Sequence, residues 1–96
     1  MAREAAVALR PQAERDLRRL GRDDRKRLGD ALRLLAAGAE NLDVKPQSGA
    51  APWRRLRVGD YRVLYREATN DIFVVARIVN RRDLILAVKN LDRRPG

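Results

Sequence analysis

Between Trp53 and Arg66 the chain carries Arg54, Arg55, Arg57, Arg62 and Arg66, interleaved with Leu56, Val58, Val63 and Leu64. Side chains alternate along an extended strand, so Trp53, Arg55 and Arg57 share one face while Arg54, Leu56 and Val58 share the other. Beyond Gly59-Asp60, which reads as a turn, Arg62, Leu64 and Arg66 share a face opposite Tyr61, Val63 and Tyr65. A tight turn therefore sets arginines of two strands side by side. Like charges on neighbouring strands repel, so such a cluster is stabilised by an anion held among them, and guanidinium forks suit phosphate. The same pattern also fits a solvated face whose arginines pair with Asp60, Glu67, Asp71 and Asp83.

Other chemistries are removed by composition. The sequence has no cysteine and no histidine, which excludes disulfides, thiol nucleophiles, the usual zinc sets and the commonest neutral-pH base. No metal or cofactor is expected. Net charge is +9, from 22 Lys plus Arg against 13 Asp plus Glu, and this favours a polyanionic partner, above all a nucleic acid. The excess is uneven: residues 1–52 hold 11 basic and 8 acidic residues, whereas 53–96 hold 11 and 5. Only Lys26, Lys45 and Lys89 are lysines. Met1 to Leu9 lacks the apolar core of a signal peptide, and nothing approaches the ~20 apolar residues of a membrane span. A cytoplasmic protein with no membrane contact is the expectation.

The elements that must position the arginines can be read from the changing period. At 96 residues the chain suits a single domain, 1–96, with one modest core. Glu4 to Arg10 reads as a short strand, and Pro11 opens a helix that runs to Leu20, where Gly21 ends it. A second helix is predicted from about Asp23 to Ala37, with Leu28, Ala31, Leu32 and Leu35 as its apolar stripe and Gly38 as its stop. Ala39 to Pro52 has little periodicity and reads as a connecting loop. The period then becomes two: Trp53 to Val58, Tyr61 to Ala68 and Ile72 to Val79 form a three-stranded antiparallel meander, with Thr69-Asn70-Asp71 as its second turn. The first strand is expected at an edge of that sheet. Leu84, Ile85, Leu86, Val88 and Leu91 mark a short final element, strand or helix. The class is α+β: strand, helical hairpin, meander and a short ending.

Within this frame the stretch from Trp53 to Arg66, Trp-Arg-Arg-Leu-Arg-Val-Gly-Asp-Tyr-Arg-Val-Leu-Tyr-Arg, resembles the RelE/ParE superfamily of bacterial toxins. There a basic strand, a Gly-Asp-Tyr-Arg turn and a Val-Leu-Tyr strand follow in this order. Lys45-Pro46, the two leading helices and Ile78-Val79-Asn80-Arg81-Arg82 fall where that family has their equivalents, so nearly the whole chain is covered. The resemblance implies a β-α-α-β-β-β toxin of a type II toxin-antitoxin system, neutralised by a cognate RelB-like antitoxin and associated with plasmid stabilisation. RelE-like members cut mRNA in the ribosomal decoding site, whereas ParE-like members poison DNA gyrase. A third possibility is a non-catalytic relative that only binds nucleic acid or antitoxin.

For a RelE-like nuclease the resemblance assigns catalytic roles to Arg62, to Arg55 on the preceding strand, and to Arg81, with Arg82 beside it. Lys45, Arg54, Arg57 and Arg82 are expected to contact RNA, and Trp53 either stacks on a base or closes the sheet over the second helix. The implied reaction is attack by a ribose 2′-OH on the adjacent phosphate, with guanidinium groups stabilising the added negative charge. Many RelE-like nucleases place a Tyr or His after the arginine pair. Here that stretch is Asp83-Leu84-Ile85-Leu86-Ala87-Val88. Arginine stays protonated, so the proton must pass to Asp83, Glu67, a remote Tyr or a ribosomal group.

Overall fold

The computed structural model describes residues 5–69 and 71–91. Strand β1 (Ala6–Leu9) leads into helix α1 (Pro11–Arg18), then α2 (Arg22–Ala36), β2 (Val44–Pro46), β3 (Arg54–Val58), β4 (Tyr61–Glu67) and β5 (Ile72–Asn80). One 3₁₀ turn (Arg81–Asp83) joins β5 to α3 (Leu84–Lys89). The strands form one sheet in the order β1-β5-β4-β3-β2, with β1 parallel to β5 and the other pairs antiparallel. The α+β class, the helical hairpin, the meander and the edge position of the first strand are as the sequence predicts. Glu4 of the predicted first strand, Asn70 of the second turn and 92–94 of the ending lie outside the described residues.

Two local expectations change, and one left open is decided. The segment read as a loop contains β2, a three-residue edge strand that pairs Val44 with Leu56, Lys45 with Arg55 and Pro46 with Arg54. Three residues are too few to establish a period of two, and Pro46 hides the strand further because proline is tolerated in sheets only at edges. Gly21 does not end α1; it is extended (φ −66°, ψ 167°) and begins α2. Gly38 does end α2, at φ +77°, where its N–H bonds to Leu35 O and that of Ala39 to Leu34 O. The undecided ending is helical.

Both faces of the sheet carry apolar clusters. Leu28, Leu32 and Leu35 of α2 and Ala13 of α1 pack on Leu56, Val63, Tyr65, Val75 and Ile78. On the opposite face Trp53, Leu64, Ala76 and Val79 are covered by Leu84, Ala87 and Leu91. β5 contributes to both clusters, and its register shifts midway: Tyr65 pairs with Val75 but Leu64 pairs with Arg77, leaving Ala76 as an extra residue. This bulge changes the parity of the strand, so Val75 and Ile78 face the helices while Ala76 and Val79 face away.

Asp16 of α1 holds the helical layer to the sheet. β1 stops where Leu9 pairs with Val75, which leaves the edge of β5 open beyond that point. There the nearly buried Asp16 carboxylate accepts the Ile78 N–H at 2.9 Å and the Arg77 guanidinium at 2.8 and 3.2 Å, and takes a further bond from Gln12. A side chain thus satisfies a strand donor that would otherwise be orphaned in the interior.

Candidate nucleic-acid interface

The tight Gly59-Asp60 connection puts β3 and β4 in a register that pairs Arg57 with Arg62, Arg55 with Leu64 and Leu56 with Val63. Cross-strand partners share a face, so Arg55, Arg57 and Arg62 lie together on the face away from α1 and α2. Lys45 joins them from β2, opposite Arg55. Gly59 makes the turn possible at φ +58°, a conformation that disfavours any side chain. A Cβ there would also come within 3.3 Å of the Arg27 guanidinium, which reaches the turn from α2.

Arg62 is the centre of this cluster. Its Nη1 donates to Gly59 O and to Tyr61 O, both at 3.0 Å, while Nε and Nη2 have no hydrogen bond among the described residues. Burial lowers its pKa from the usual arginine value, and the positive charges of Arg57, Arg55 and Arg81 lower it further; Asp43 acts in the opposite sense. That balance means positive charge is concentrated and incompletely neutralised around one guanidinium. An anion placed there relieves the repulsion.

Arg81 arrives from the end of β5, its N–H donating to Asp60 O at 2.7 Å, so the 3₁₀ turn is tied to the β3–β4 turn. Arg82 is folded back, its backbone N–H and its Nε both donating to Asn80 Oδ1. Asp60, Asn80, Arg81 and Arg82 line a shallow pocket at this end of the sheet. The structure thus brings Arg55, Arg57, Arg62 and Arg81 to one place, with Lys45 and Arg82 on its margins. Arg54 lies on the other face opposite Tyr65, lining a groove with Glu40, Glu67 and Phe73.

Trp53 is buried at 6% exposure, with the Arg10 and Arg66 guanidiniums over its ring at 5.1 and 5.5 Å. It packs on the α3 side of the sheet, not over the second helix. Tyr65 is buried edge-on against Phe73, and the half-buried Tyr61 donates its hydroxyl to Asp24 at 3.1 Å. Burial raises the pKa of both phenols; the Asp24 carboxylate adds to the shift at Tyr61, whereas the Arg54 guanidinium opposes it at Tyr65.

Of the carboxylates expected to neutralise the arginines, Asp60, Glu67 and Asp83 form no ion pair with them among the described residues. The acidic residue that does is Asp43, just before β2, with Oδ2 3.9 Å from Arg57 Nη1. Sequence reasoning passed over it because the segment read as a loop. Arg27 and Asp16 were missed too, since nothing in helical periodicity says what a polar side chain will touch.

Residues 7–85 match the family model for the ParE toxin of type II toxin-antitoxin systems, parDE. The chain belongs to this toxin family. No curated protein shows significant sequence similarity to this ParE-family toxin. Its fold is similar to that of a chain in the RelB-RelE antitoxin-toxin complex from Methanococcus jannaschii, with TM-score 0.68 and 23% identity over 82% of this chain and 95% of that one. It is likewise similar to a chain of the RelE-RelB complex from Pyrococcus horikoshii OT3, at TM-score 0.62, 25% identity, and 82% and 97% coverage. For the E. coli DinJ-YafQ toxin-antitoxin complex the values are 0.68, 17%, 85% and 98%. The toxin is therefore of the RelE/ParE superfamily in sequence and in fold. No helix among its described residues is long and apolar enough to cross a membrane.

Proposed function

We propose that this toxin is a RelE-like endoribonuclease that cuts mRNA on the ribosome and so inhibits translation. The observation that carries the reading is the convergence of Arg55, Arg57 and Arg81 on the half-buried Arg62, whose free Nε and Nη2 form a fork suited to phosphate. Attack of a ribose 2′-oxygen on phosphorus adds negative charge to the phosphate oxygens. Donors fixed in advance around that position stabilise the transition state more than the ground state. Guanidinium groups supply this without a metal. Lys45, Arg82 and the outer arginines hold the flanking phosphates, and Arg54, on the far face, reaches RNA only if the strand wraps the sheet edge. A RelB-like antitoxin is the proposed partner, in keeping with the antitoxin complexes that share the fold and with the net charge of +9.

The test is a purified translation system with end-mapped mRNA. Cuts are expected on addition of the toxin and should fall about 100-fold with Arg62→Ala. An intact message at concentrations that arrest growth would dispose of the proposal.

One observation favours a second reading, inhibition of DNA gyrase. After Arg81-Arg82 the chain enters α3, which is Leu-Ile-Leu-Ala-Val-Lys and supplies neither the Tyr nor the His of many RelE-like nucleases. Accumulation of cleaved DNA in a gyrase supercoiling assay, with mRNA left whole, would select it.

A further inference from the structure

A nuclease built on arginines alone lacks a group able to accept the 2′-OH proton, because guanidinium stays protonated. The carboxylates suggested by sequence are poorly placed for this. Glu67 ends β4 opposite Phe73, far along the strand from Arg62, and Asp83 is exposed in the 3₁₀ turn beyond Arg82. Asp43 is different. Its backbone O accepts the Arg57 N–H at 2.9 Å, continuing the β2–β3 ladder by one residue beyond the Val44–Leu56 pair. Asp43, Arg57 and Arg62 therefore form one row across three strands, on the face that also carries Lys45 and Arg55. Two strand spacings, roughly 10 Å, separate the ends of the row. A phosphodiester held over Arg57 and Arg62 has the Asp43 carboxylate on its flank. The side chain is half exposed and its contact with Arg57 Nη1 is loose at 3.9 Å, so the carboxylate is open to a bound strand.

Building on the nuclease reading, we propose that Asp43 is its proton acceptor. The Asp43 carboxylate takes the proton of the 2′-OH as the 2′-oxygen bonds to phosphorus, and the bond from phosphorus to the 5′-oxygen breaks. The leaving 5′-oxygen, facing the guanidiniums, takes a proton from water, and Asp43 returns its own to solvent. The products are a 2′,3′-cyclic phosphate and a 5′-hydroxyl.

The experiment compares wild type, Asp43→Asn, Asp43→Glu and Arg62→Ala for ribosome-dependent cutting and for binding of a single-stranded RNA. Asp43→Asn is expected to slow cutting about 100-fold. It should bind RNA as tightly or more tightly, since a negative charge leaves a positive cluster. Asp43→Glu should retain more activity than Asp43→Asn. Asp43→Asn cutting as fast as wild type, while Arg62→Ala is impaired, overturns the assignment and leaves the nuclease reading intact. Weaker RNA binding that accounts for the loss in Asp43→Asn also overturns it, because the carboxylate would then only hold Arg57. If wild type makes no cut, both readings fall together.

Discussion

The two faces of the same sheet follow opposite rules. On the α1–α2 face Leu28, Leu56, Val63 and Val75 are fully buried, and the polar group at its margin, Asp16, is hydrogen-bonded through both carboxylate oxygens. On the other face the apolar cluster under α3 stops at Leu64 and Val79, and the remaining surface holds Arg55, Arg57 and Arg62 with Asp43, among the described residues, as their one close counter-charge. The first face minimises free energy in the isolated chain. The second leaves repulsion that Asp43 offsets only in part and that a bound anion relieves. Stability and the proposed activity thereby fall on separate surfaces of one sheet, joined through β3 and β4, which contribute residues to both.

This contrast can be broken most sharply at Asp16. Asp16→Ala leaves the Arg77 charge and the Ile78 N–H without their partner, and should lower unfolding stability by about 3–5 kcal/mol in chemical denaturation. A loss well under 1 kcal/mol would mean that the closed face does not depend on this contact. Arg62→Ala should do the reverse: cutting falls about 100-fold while the denaturation midpoint stays level or rises, since a repelled charge is removed. Parallel losses of activity and stability would erase the distinction between the faces.

Smaller effects sharpen it. Tyr61→Phe removes the hydroxyl bonded to Asp24, which links β4 to the first turn of α2, and should cost about 1 kcal/mol. Tyr61 and Tyr65 both have pKa values raised in the fold, principally by burial. In the native state their tyrosinate absorbance should therefore appear at higher pH than in denaturant. The sign follows: stability is unaffected below the unfolded phenol pKa and falls as pH rises through the native one. Coincident native and denatured titrations would show that neither ring is as enclosed as described.

The pattern of what sequence revealed follows the same division. Alternation in Trp53–Val58 and Tyr61–Glu67 exposed the meander and, with it, the shared face of Arg55, Arg57 and Arg62, because a period of two survives any detail of packing. Leu28, Leu32 and Leu35 were legible as core by their helical spacing. Arg81 reached the cluster by resemblance alone, since its position depends on where β5 ends and a 3₁₀ turn begins. β2 and Asp43 were hidden by shortness, and the Ala76 bulge by the fact that one extra residue leaves composition unchanged while reversing every later side chain. Asp16 and Arg27 are helix-surface positions by spacing; only tertiary structure shows what they meet.

Arg62 is held by its own turn, with Gly59 O and Tyr61 O fixing one nitrogen. A free arginine side chain carries roughly 2 kcal/mol of rotamer entropy that would be lost on gripping a ligand. Here part of that ordering has already happened during folding, so this one guanidinium is preorganised. If the proposed RNA contact is made, affinity should depend less on the length of strand engaged than on how well one phosphate fits the waiting fork.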